Sequence, residues 1–169
     1  MKKYPVLACL VASLSLFFAL WVGTATATEM PNDLDALTDV SVGKALFDIN
    51  IAADFTDLAP AQGKLALYLS VIKQTYEGLQ DQGVTPDIIV AFRGSAVALV
   101  TKTTTQDIKD LVAELSDLGV VFEACNVATS LFGIDNSTML SEVNVVGNTF
   151  ISAIGYGSNH KGYATIPIM

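Results

Sequence analysis

The segment Asp87 to Phe92, DIIVAF, runs apolar without a break after its first residue and is rich in β-branched side chains. Successive side chains of a strand point to opposite faces, so a strand of this composition has to be covered on both. Two-sided cover is the situation of an inner strand in a parallel sheet, where crossover helices pack against both faces. The flanking sequence supplies such partners. Lys44 to Ile51, KALFDINI, sets Leu46, Asp48 and Asn50 against Phe47, Ile49 and Ile51 with the period of a strand. From Asp57 the period changes: Leu58, Leu65, Leu69, Ile72, Tyr76 and Leu79 recur at helical intervals. Pro60 suits the first turn of that helix, where a missing N–H costs nothing, and Gly83 is its stop signal.

The alternation continues. Ser95 to Val100 fits either a short helix or a strand. Thr104 or Thr105 can cap a second helix carrying Ile108, Leu111, Val112 and Leu115 on one face up to Gly119. Val120 to Phe122 reads as a third strand leading into Cys125, and Asn126 to Phe132 as a short helix stopped at Gly133. Val143 to Val146 is a fourth strand, Asn148 to Ile154 begins another helix, and Tyr163 to Ile168 is a closing strand. Strands alternating with helices predict a single three-layer α/β domain with a mainly parallel sheet of about five strands over residues 42–169. No internal repeat or second-domain linker interrupts it.

Ahead of this domain, Met1-Lys2-Lys3 precedes 17 uncharged residues, Val6 to Val22, and the small-residue exit Ala25-x-Ala27. Positive end, apolar middle and small exit describe a secretory signal peptide, expected at 1–27 and placing the protein in the periplasm or outside the cell. A retained membrane anchor is the alternative for this stretch. Residues 28–41 are polar and acidic and read as an extended lead-in. Removing 1–27 takes Lys2 and Lys3 away, leaving seven basic side chains against 17 acidic ones, a formal charge of −10 against −8 for the whole chain. Such a charge repels phosphate backbones and anionic lipid, so neither nucleic acid nor, after cleavage, a membrane is an expected partner.

Cleavage also removes Cys9 and leaves Cys125 as the one thiol, which cannot form an internal disulfide. It is buried, paired between chains, or reactive. In open α/β sheets ligands settle at the carboxyl ends of the strands. Three segments should gather there: Arg93-Gly94-Ser95, Glu123 to Val127, and Gly147-Asn148-Thr149. A helix beginning at Asn126 would place N–H groups near the Cys125 sulfur and favour its thiolate, and Arg93 could add positive charge. Glu123, two residues before Cys125, should share its side of the sheet and oppose the anion. As an isolated cysteine, Cys125 is equally a small hydrophobe of the core. His160, in GYGSNHKGY, reads as an exposed turn residue. No HExxH, CxxC, GxGxxG or GxxxxGK[ST] occurs, so no metal, nucleotide or other cofactor is expected. Asn136-Ser137-Thr138 matches a glycosylation acceptor, a frequent chance match.

The order KALFDIN, DIIVAFRGSAVALV, GVVFEACNVAT, VNVVGNTFISAI and GYATIPI resembles the DsrE/DsrF-like sulfur-relay superfamily, over nearly all of residues 42–169. The resemblance implies a compact α/β domain assembled as a trimer or hexamer. It also implies sulfane sulfur carried as a persulfide on a cysteine after a central strand, the position Cys125 matches. A thiol or sulfur-donor protein would then be a partner. Arg93, Gly94 and Asn126 lie where neighbours of such a site fall, as weaker binding candidates. The alternative is a noncatalytic oligomeric binding or assembly module with Cys125 buried.

Overall fold

The computed structural model describes residues 32–169; the expected signal segment and the start of the lead-in lie outside them. Residues 34–39 of the lead-in form hydrogen-bonded turns rather than an extended strand, and the Asp33 N–H donates to Gln82 Oε1 at 2.7 Å. The order of elements is β1 (Val42–Ile49), α1 (Ala59–Asp81), β2 (Thr85–Phe92), a 3-10 helix (Gly94–Val100), α2 (Gln106–Asp117), β3 (Val121–Cys125), α3 (Asn126–Leu131), a second 3-10 turn (Asn136–Thr138), β4 (Val143–Val146), α4 (Thr149–Tyr156) and β5 (Ala164–Ile168). The ambiguous stretch after β2 is therefore helical. Thr105 is the N-cap of α2 by backbone alone, without a side-chain cap bond.

All five strands are parallel, in the order β4-β3-β2-β1-β5. Strand β2 is central, which accounts for DIIVAF: Ile88, Val90 and Phe92 enter the main core, while Ile89 and Ala91 enter a smaller cluster opposite. Parallel connections are right-handed. Stepping from β1 to β4 in one direction therefore stacks α1, α2 and α3 on one face, and the return from β4 to β5 carries α4 across the other. The main core joins Phe47, Ile49, Val90, Phe92 and Phe122 to Leu65, Leu69 and Ile72 of α1 and Ile108, Val112 and Leu115 of α2. Fully burying each such side chain stabilises the fold by about 1.5–3 kcal/mol before conformational entropy is set against it. The second face is thin. Leu46, Ile89, Ala91 and Tyr163 are buried there against Ala153 and Tyr156.

Helix α1 ends as its sequence predicts. Gly83 takes φ +79°, and the Val84 N–H reaches back to the Leu79 carbonyl at 2.9 Å, the closing bond of a left-handed helix stop.

Candidate functional site

The reversal of direction at β4 decides where a crevice opens. The chain leaves β3 into α3 on one face and leaves β4 into α4 on the other, so the carboxyl ends of these adjacent strands are not roofed by a common helix. Such switch points are where open α/β sheets bind ligands. Cys125 is the last residue of β3, pairs with Val146 of β4, and is the N-cap of α3. Its side chain is only 4% exposed, and it faces a cavity of about 290 Å³. Asn50, Arg93, Gly94, Asn148 and Phe150 line that cavity together with Val127, Leu131 and Phe132.

Two chain segments aim polar hydrogens at the sulfur. Burial acts first and pushes the Cys125 thiol up. The backbone N–H groups of Thr149, Ala128 and Val127, with the Thr149 hydroxyl, outweigh it and leave the thiol below its ordinary value. Hydrogen bonds to an anion favour the anion over the neutral thiol. Thr149 is fully buried, and its Oγ1 makes no hydrogen bond of complete geometry to any described protein atom. Asn148 Oδ1 accepts from the Phe150 N–H at 2.9 Å and caps α4, which leaves the Thr149 N–H free to face the sulfur.

The structure brings Cys125, Arg93 and Gly94 around one cavity, but their relations differ from the sequence expectation. The Arg93 guanidinium is engaged in an ion pair with Asp48 of β1, and both side chains are about 85% buried at exposures of 14% and 15%. It also lies 4.5 Å from the centre of the Phe150 ring. Its charge is committed to Asp48 rather than to the sulfur. Burial pushes the Asp48 carboxyl up, and Arg93 offsets only part of that. Asn126 does not line the cavity. Its side chain accepts from Asn136 Nδ2 at 2.6 Å, a bond that fastens α3 to the following turn, and its carbonyl accepts from the Thr129 hydroxyl within α3 at 3.1 Å. The Asn136 amide of the glycosylation-like triplet is thus used internally, also accepting from Thr129 Oγ1 at 2.7 Å.

Gly94 is required at its position. Its φ is +55°, and a Cβ would stand 2.6 Å from Asn50 Oδ1. Glu123 is buried and accepts from the Tyr156 hydroxyl of α4 at 2.9 Å, whereas Cys125 packs with the main core; the second Glu123 oxygen has no partner among the described residues. His160 is exposed in the turn before β5. Asn50, Asn148, Thr149 and Phe150 join the site without having been assigned a role from sequence. Gly147 to Thr149 was legible as a segment arriving at this edge, whereas its contact with the sulfur depends on β3 and β4 being neighbours. No group of three or more His, Cys, Asp or Glu side chains suited to holding a metal occurs among the described residues.

A five-stranded parallel sheet of order 4-3-2-1-5 with helices on both faces defines a small open-sheet α/β protein, and the one free cysteine among the described residues lies at its switch point. Residues 44–165 match the model of the DsrE/DsrF-like family, and the chain belongs to it. Among solved structures it is similar to the protein of unknown function MTH1491 from Methanobacterium thermoautotrophicum, with a TM-score of 0.60 and 21% identity, covering 75% of this chain and 99% of that one. It is also similar to the ychN protein from E. coli, with a TM-score of 0.50 and 14% identity, covering 74% of this chain and all of the other. At these identities the likeness is one of fold. No curated protein matches the chain.

Proposed function

We propose that this DsrE-like protein carries sulfane sulfur on Cys125. The observation that carries the reading is the place of Cys125, at the carboxyl end of β3 beside β4 and on the wall of a ligand-sized cavity. The Cys125 thiolate attacks the outer sulfur of a hydropersulfide, R–S–SH. A bond forms between Sγ and that sulfur, the R–S bond to it breaks, and R–S⁻ leaves with the electron pair. The product is Cys125–S–SH, and a thiolate acceptor reverses the step. No net oxidation occurs, because the sulfane sulfur moves between equivalent thiols. Val127, Leu131, Phe132 and Phe150 give the cavity an apolar lining that stays open to solvent, so a donor or acceptor thiol can reach the sulfur.

Export belongs to the same proposal, supported by the charge and small-residue pattern of Met1 to Ala27. So does self-association as a trimer or hexamer. Helix α4 leaves Phe150, Ile151 and Ile154 at 59%, 69% and 67% exposure, an apolar surface of the sort that protein contacts cover. The competing reading, an assembly module with an inert cysteine, draws on the 4% exposure of Cys125.

Mass spectrometry of the protein after brief exposure to inorganic polysulfide separates the two. One added sulfur on the Cys125 peptide, absent in Cys125→Ser and removed by a small thiol, is the expected result. An unmodified Cys125 that alkylates only after denaturation would refute sulfur carriage.

A further inference from the structure

The cavity at Cys125 has a lining that selects what can enter. Cys125 is 4% exposed, whereas Val127, Leu131 and Phe150 on the same cavity stand at 54%, 76% and 59%. The sulfur is therefore at the floor, and apolar side chains form the mouth. Phe132 adds a further apolar wall, held by stacking on Phe55 with ring centres 5.3 Å apart. These residues occupy outward positions of α3 and α4, where a helix surface is ordinarily polar. The volume of about 290 Å³ admits an aromatic ring or a branched alkyl chain, since an apolar cavity of about 150 Å³ already takes benzene.

A charged ligand finds no counterpart on these walls. Arg93 is the only lining residue with a fixed charge. Its guanidinium is paired with Asp48 and lies 4.5 Å from the centre of the Phe150 ring. A cation already matched by a carboxylate and a ring face has little field left for a second anion. No Asp or Glu lines the cavity to receive an amine. Asn148 Oδ1 is taken by the Phe150 N–H at 2.9 Å. We infer that the Cys125 site takes sulfur compounds whose organic group is small, uncharged and apolar, aryl or branched alkyl, in preference to thiols bearing carboxylates or amines. The inference rests on the sulfur-carrier reading, whose donor R–S–SH it specifies, but its test does not require sulfur transfer.

Methanethiosulfonates of differing R supply the test. The Cys125 thiolate attacks the R-bearing sulfur of R–S–SO₂CH₃, forming Cys125–S–S–R, and methanesulfinate leaves with the electron pair. Benzyl, 2-sulfonatoethyl and 2-(trimethylammonio)ethyl reagents are compared on the native full chain. Labelling is read on the Cys125 peptide by mass spectrometry, so that Cys9 does not contribute. Each rate is divided by the rate for the urea-unfolded protein, which removes intrinsic reactivity, and added salt screens the acidic surface. The normalised benzyl rate should exceed both others about tenfold, the scale of burying two methylene groups. Leu131→Gln, at an exposed position where folding does not depend on the side chain, should reduce that preference about threefold.

Equal normalised rates overturn the inference. So does a lead for the sulfonate reagent, which would mean that Arg93 is free to bind anions, or for the trimethylammonio reagent, which would mean that the acidic surface governs entry. An unaltered preference in Leu131→Gln also overturns it, because the cavity would not be the source. If Cys125 takes sulfur from polysulfide but labels without preference, this inference alone fails. If it prefers the benzyl reagent but takes up no sulfur, the sulfur-carrier reading alone fails. Labelling by no reagent before unfolding defeats both.

Discussion

The Asp48–Arg93 pair beside the cavity offers a sharp test of how the thin face of the sheet is held. Both side chains are about 85% buried, and burial pushes the Asp48 carboxyl up even with Arg93 beside it. Removing one partner of a buried pair costs about 3–5 kcal/mol, and the residual exposure sets this pair at the lower end. The two single variants should nevertheless differ in their pH dependence. In Arg93→Met the carboxylate loses its cation, and only burial acts on it, so its folded pKa rises further. A carboxyl whose folded pKa lies above the unfolded value of about 3.9 binds its proton more tightly in the native state. The stability of Arg93→Met relative to the native protein should therefore recover as pH falls through the folded value of Asp48. Asp48→Asn leaves a guanidinium that cannot neutralise, so its deficit should stay flat over the same window. The double variant should cost less than the sum of the singles by about 1–3 kcal/mol. Urea denaturation followed by far-UV circular dichroism, from pH 7 down to about 4, supplies all four corners of the cycle. A coupling below about 0.5 kcal/mol, or parallel pH profiles for the two singles, would show the pair to be solvated and the reasoning wrong.

Two further outcomes follow from the same region. Gly94→Ala should lower stability by about 1–2 kcal/mol from its left-handed backbone alone, with more from the clash at Asn50 Oδ1, and its denaturation midpoint is the check. An unchanged midpoint would mean the turn relaxes freely. Tyr156→Phe removes the one hydroxyl that donates to buried Glu123, and should cost about 1–3 kcal/mol at neutral pH, as read by the same denaturation. A loss below the measurement error would place Glu123 in contact with water.

Much of the fold was legible because its signals are local. The period of Leu65, Leu69 and Ile72 declares a helix, and the stop at Gly83 follows from backbone sterics. DIIVAF declares an inner strand because side-chain alternation leaves no other way to cover it. Asp48 is a case between. Its place on the polar side of an alternating strand was readable, but its partner was not, because Arg93 lies 45 residues away, just past the end of the neighbouring strand. Arg93 therefore looked free to serve the sulfur.

The sequence by itself determined the order of the elements, the kind of all but the stretch 95–100, and that the third strand leads into Cys125. These depend on periodicity, caps and turn residues, which act within a few positions of one another. The strand order belongs to the tertiary structure alone, since the fourth strand could have been added at either edge with its local pattern unchanged. That order makes β3 and β4 adjacent with their helices on opposite faces. It is also what turns Asn126 away, spends Arg93 on Asp48, and brings Asn148 and Phe150 to the cavity of the thiol. The polarity of the Cys125 pocket is thus a product of which strands meet, because hydrogen bonds to a sulfur are decided over ångströms and not along the chain.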